Sequence, residues 1–127
     1  MTMDSLYKVD IDVSTEFIEE ESNYDNDRYF FAYTIKITNS GKVNVQLISR
    51  HWIVLDANNK QQEIKGLGVV GEQPVIAPNS NFQYSSGTII ETPVGTMHGT
   101  YQMVADNGYK FDATIPMFSL SVPKVIN

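Results

Sequence analysis

Apolar residues recur at every second position through most of this chain, and no stretch of useful length shows the spacing of an amphipathic helix. Successive side chains of an extended strand point to opposite faces, so this alternation sorts each segment into a core side and a water side. Val9, Ile11, Val13 and Phe17 make one such apolar face, with Lys8, Asp10, Asp12, Ser14 and Glu16 opposite. Phe31, Tyr33, Ile35 and Ile37 repeat the pattern before Asn39-Ser40-Gly41-Lys42 turns the chain. A third strand runs from about Val45 to Leu55. Asp56-Ala57-Asn58-Asn59-Lys60 then supplies turn chemistry for a hairpin return at Gln61 to Lys65. Phe82 and Tyr84 mark a further strand, and Tyr101, Met103 and Ala105 another. Asp106-Asn107-Gly108 predicts a tight hairpin turn, because asparagine and glycine both tolerate positive φ. The last strand places Tyr109, Phe111, Ala113 and Ile115 on one face and then changes parity to Phe118, Leu120 and Val122. A one-residue bulge near Pro116 would return both sets to one core.

About seven such strands predict an all-β fold, an antiparallel β-sandwich resembling the immunoglobulin or fibronectin type III kind. Trp52 in the third strand sits where such sandwiches bury a tryptophan, and Tyr101 to Gly108 is similar to the penultimate strand and turn of a fibronectin type III module. The 127 residues suit one domain, 1–127, with its core at about 7–122. Cysteine is absent, which excludes disulfides, thiolate metal sites and a thiol nucleophile and fits a reducing compartment. Met1 to Ser14 lacks the apolar run of a signal peptide, and no window approaches the length of a membrane span, so a cytoplasmic location with no membrane partner is expected. The net charge of −6 and the scattering of Lys8, Arg28, Lys36, Lys42, Arg50, Lys60, Lys65, Lys110 and Lys124 argue against nucleic acid as a partner.

Gly66-Leu67-Gly68-Val69-Val70-Gly71 spells G-x-G-x-x-G, the spacing of dinucleotide-binding turns. Those turns need a helix whose N-terminal amides meet a pyrophosphate, and none can follow here. Pro74 and Pro78 interrupt the next turns, and Val75-Ile76-Ala77 between them is strand fragment or loop. Glu91 stands near the spacing of a ribose-binding acid, yet no βαβ unit intervenes. The motif therefore carries no cofactor expectation. Three readings stay open for it: a packed loop in which Leu67, Val69 and Val70 plug one end of the sandwich, a partner-binding loop with those side chains exposed, or an anion site built from backbone amides.

Catalytic constellations are absent from the sequence. His51 and His98 lack the spacing partners of a triad or metal site, and Ser49, Ser85 and Ser86 lie outside any nucleophile elbow. Glu16, Glu19, Glu20, Glu21, Asp25 and Asp27 form the densest charge cluster. Glu19, Glu21, Asp25 and Asp27 are its candidates for a hard divalent cation, although a solvated loop is favoured because Asp25-Asn26-Asp27 lacks the glycine and distal glutamate of a calcium loop. Arg50 is the subtler case. If Ile48, Trp52 and Val54 point into the core, strict alternation aims Arg50 inward too, which calls for a bulge or a place at the sandwich mouth. A structural ion pair with a carboxylate is favoured there. The competing arrangement joins Arg50 and Lys65 to the loop from Gly66 to Glu72 as an anion-binding or partner-binding surface comprising Gly66, Leu67, Gly68, Val69, Val70, Gly71 and Glu72.

Phe31-Ala32-Tyr33-Thr34-Ile35, Ser49-Arg50-His51-Trp52, Asp56-Ala57-Asn58, Gln62-Glu63, Gly66 through Pro74, Tyr84-Ser85-Ser86-Gly87, Thr92 through Met97 and Ile115-Pro116 occur in an order that resembles the ApaG family from about Tyr7 to Asn127. Asn59 and Asn79 depart from the family pattern at turn positions where relatives favour glycine. The resemblance implies a fibronectin type III-like sandwich, a protein-interaction role and a genetic link to cobalt tolerance and magnesium efflux. The expected function is thus a non-enzymatic domain binding an unidentified protein partner, with exposed sheet edges leaving a homodimer open. The alternative is binding of phosphate, pyrophosphate or nucleotide at the loop, or a divalent-cation response.

Overall fold

A computed structural model describes residues 3–123; Lys124 lies outside them. One helical turn, α1 (Met3–Leu6), precedes eight strands: β1 (Val9–Phe17), β2 (Tyr29–Asn39), β3 (Val45–Asp56), β4 (Gln61–Leu67), the two-residue β5 (Val75–Ile76), β6 (Asn81–Ile90), β7 (Val94–Ala105) and β8 (Lys110–Ser121). They form two antiparallel sheets, one ordered β1-β2-β6 and the other β4-β3-β7-β8, with β5 also pairing β3. The alternation predicted from the sequence is observed along most strands; Ile48 departs from it, and Tyr109, expected on the core face of the last strand, precedes β8 and is 40% exposed. Phe31, Tyr33, Ile35 and Ile37 on β2 face Leu47, Trp52, Val54, Met97, Tyr101, Met103, Ile115 and Leu120 from the other sheet in one core. Trp52 is buried at its centre, edge-on to Tyr101 and Phe118.

Two bulges set which side chains reach that core. On β8 the register passes from Gly99↔Ile115 to Met97↔Phe118, so Pro116 and Met117 together oppose His98. The extra residue restores Phe118 and Leu120 to the face of Ala113 and Ile115, as the change of parity requires. On β3 the register passes from Leu47↔Met103 to Ser49↔Gln102, leaving Ile48 as the extra residue. Ile48 is therefore not an inward residue beside Trp52; Val45 and Leu47 occupy the core on its far side.

The remaining differences are local. β4 extends past Lys65, so Gly66 and Leu67 belong to a strand paired with Arg50 and Ser49 and not to a loop. In the β7–β8 turn only Gly108 takes a positive φ, 88°. The Gly108 amide donates to the Ala105 carbonyl and the Ala105 amide to the Tyr109 carbonyl, giving a three-residue loop in place of a two-residue turn with both centres left-handed. Asn39 is fully buried and unforeseen. Its amide donates to the Val43 and Ile76 carbonyls at 2.8 and 2.9 Å, and its oxygen accepts the Gly41 amide, tying the β2–β3 turn to β5. No helix of the described residues is long and apolar enough to cross a membrane.

Candidate functional site

β4 and β5 follow the same edge of β3, and residues 68–74 are an excursion from that edge. The β3 bulge anchors it: the Ile48 carbonyl accepts the Gly68 amide at 2.8 Å and the Gln73 side chain at 2.9 Å, while Leu47 donates to the Pro74 carbonyl. At the tip, the Val69 amide donates to Glu72 and the Glu72 amide to Val69, closing a two-residue turn around Val70 and Gly71. Both central residues have positive φ, 45° and 81°, as a type I′ turn requires. Glycine adopts this freely, whereas a β-branched valine does so only under strain. Gly68 is needed for a different reason: its φ is 61°, and a Cβ there would lie 2.3 Å from the Glu72 carbonyl oxygen. The three apolar side chains separate. Val69 is buried as a plug, whereas Leu67 is 76% and Val70 54% exposed, so the expectation that all three close the sandwich end holds for Val69 alone.

Arg50 lies on the core face at the mouth of the sandwich, flanked in its sheet by Gly66 on β4 and Tyr101 on β7. Its guanidinium covers Gly66, where a Cβ would sit 2.9 Å from Nη1, so any larger residue there would push the arginine head aside. Nη1 donates to the carbonyls of Leu67 at 3.0 Å and Gly68 at 2.8 Å. This corrects the expected ion pair: no carboxylate among the described residues meets Arg50, because the carbonyls of the β4 end reach its head first. Facing it from the other sheet are Tyr33, paired across β2 and β6 with Ser86, and Tyr84, whose hydroxyl contacts that of Tyr101 at 2.5 Å. Burial pushes the Tyr33 phenol above its ordinary range, opposed by Ser86 and by the Arg50 charge. Burial also raises Tyr84, against the Tyr101 contact, and raises Tyr101, assisted by Tyr84. All three are neutral hydroxyls around one fixed cation. Tyr33, Arg50, Leu67, Val69, Val70, Gly71, Tyr84 and Ser86 enclose a cavity of about 280 Å³.

Lys65 is not brought into this cavity. It pairs across the strands with His51, one position off Arg50, and so projects from the opposite face of the sheet. There Glu63 stands 3.5 Å from the Lys65 ammonium and 3.4 Å from His51 Nε2, and His51 first, then Lys65, hold its carboxyl below the usual range. The loop amides are only partly available, since those of Gly68, Val69 and Glu72 already donate to carbonyls. Glu91 is ion-paired with Lys60. The acidic cation candidates do not converge either. Glu19 and Glu21 lie on one 3₁₀ turn and Asp25 on the next, with Asp27 at its left-handed end. No three histidine, aspartate or glutamate side chains among the described residues form a group able to hold a metal ion. The tyrosines and Ser86 were missed from sequence, although inward-pointing tyrosines on facing strands need a polar partner and so mark a polar pocket.

Fold and site together define a fibronectin type III-like β-sandwich with a strained glycine turn folded over an arginine–tyrosine mouth. The sequence profile described as the ApaG domain matches residues 19–105. The chain is 50% identical to Protein ApaG of Aromatoleum aromaticum over the full length of both, and 56% identical to Protein ApaG of Thiobacillus denitrificans over 95% of each. A crystal structure of a Bordetella pertussis protein designated ApaA superposes with a TM-score of 0.92 at 44% identity, covering 95% of this chain and 98% of that one. The chain belongs to the ApaG family.

Proposed function

We propose that the protein is a non-enzymatic interaction module of the cytoplasm that engages a partner protein through the crest formed by Leu67 and Val70. The observation that carries this reading is Val70 itself: a branched apolar side chain, 54% exposed, at φ 45° in a turn position where asparagine or glycine would sit without strain. Strain retained by an exposed residue on a rigid scaffold points to a use outside the fold. Leu67, 76% exposed, extends the apolar surface beside it. Such a module would connect to cobalt tolerance and magnesium efflux through the protein it binds and not by holding the cation.

The test is site-specific photo-crosslinking in cells with the probe at Val70, and at Met117 on β8 as a control that is no less exposed. A discrete adduct at position 70, absent at 117 and lost with Leu67→Asp, is the expected result. An adduct of twice the chain mass would make the partner a second copy. Equal labelling at both positions, or an adduct indifferent to Leu67→Asp, would remove the crest from the interface.

A further inference from the structure

Behind the crest, the mouth of the sandwich holds a cation with only its Nη1 group committed. Nη1 of Arg50 is committed to the Leu67 and Gly68 carbonyls, while Nη2 and Nε donate to no acceptor among the described residues. Val70 and Gly71 line the same cavity, and their amides meet no acceptor among the described residues, unlike those of Gly68, Val69 and Glu72. Tyr33, Tyr84 and Ser86 line it from the other sheet. Arg50, the turn at Val70 and Gly71, and the hydroxyl-bearing residues of β2 and β6 thus border a space that no carboxylate among the described residues lines, in a protein with 15 acidic residues against 9 basic ones.

We propose that this cavity receives a single carboxylate group of the partner, seated on Arg50 as the crest docks; the proposal rests on the interaction reading above. A planar carboxylate matches the free edge of a guanidinium in a two-point geometry. One arginine balances one negative charge. A phosphate dianion would leave excess charge in a chain already at −6, and no second cation among the described residues lines the cavity, Lys65 being on the other face. The volume of about 280 Å³ admits a carboxylate with a short stem. It falls below the range, upward of roughly 300 Å³, typical of sites for drug-sized ligands. The carboxylate comes from an acidic side chain or from a chain end, since both present the same two oxygens.

Amide-shift titrations of the wild-type protein separate these sources. The probes are sodium acetate, an end-blocked tetrapeptide with one glutamate, an uncharged tetrapeptide with a free C-terminal carboxylate, and inorganic phosphate. Saturable shifts at Val70, Gly71 and Arg50 Nε with acetate are expected in wild type, reproduced by one or both peptides; in Arg50→Gln the response, read at Val70 and Gly71, is at least tenfold weaker. The tighter peptide identifies the source. Absence of saturable shifts at these groups in wild type, or tighter saturation by phosphate than by acetate, would overturn the proposal. An acetate response with no crest crosslink would sink the crest reading and keep the pocket; a crest crosslink with no acetate response would do the reverse.

Discussion

Arg50 and Gly66 behave as one unit, because the glycine makes room for the guanidinium that ties down the end of β4. Gly66→Ala should displace the arginine head from its two carbonyls and cost about 1–3 kcal/mol, the range for hydrogen bonds to a charged donor. In an Arg50→Ala background the same change should cost less than about 1 kcal/mol, so a double-mutant cycle by urea denaturation reads the coupling directly. The tyrosines give a second prediction at this scale. Their folded-state pKa values are raised, so their contribution to stability is fully present below the ordinary phenol value of about 10 and is lost as pH rises past it. Tyr84→Phe combined with Tyr101→Phe should therefore lose less stability than wild type between about pH 9 and about pH 11, as read by urea midpoints. Parity in β3 was enough to aim Arg50 inward. Its partners were not legible, because they are backbone carbonyls 17 and 18 positions along the chain whose placement depends on the β4 register.

At the scale of elements, alternation made most strands legible because each buries one face only. The β8 bulge was legible for the same reason, since Ile115 and Phe118 cannot share a face without an extra residue between them. The β3 bulge left an equivalent signature, Val45 and Leu47 against Trp52 and Val54, but the inward reading of Ile48 concealed it. The length of β4 was not legible, because Gly66 reads as a breaker until the arginine covering it is known. Deletion of Met117, 63% exposed, should be far more damaging than its replacement. Removing it would slip Phe118 and Leu120 to the solvent face, at a cost above about 4 kcal/mol, whereas Met117→Ser should stay within about 0.5 kcal/mol. Thermal unfolding monitored by near-ultraviolet circular dichroism of the single, buried Trp52 distinguishes the two.

Across the whole molecule, the G-x-G-x-x-G segment carries three separate requirements. Gly66 yields space to Arg50, Gly68 yields space to the Glu72 carbonyl, and Gly71 supplies positive φ at the tip. A sequence motif could not separate these, since the same spacing elsewhere serves a helix N-terminus. What the spacing leaves unexplained is Val70 between them, and there stability and binding are set against each other. Val70→Asn would place Asn-Gly, the pair best suited to a type I′ turn, at the tip and should raise stability by about 1 kcal/mol. The decisive measurement pairs urea denaturation of Val70→Asn with crosslinking from a probe placed at Leu67. A higher midpoint together with loss of the adduct is the predicted result; a higher midpoint with the adduct undiminished would show that the strained valine serves no partner.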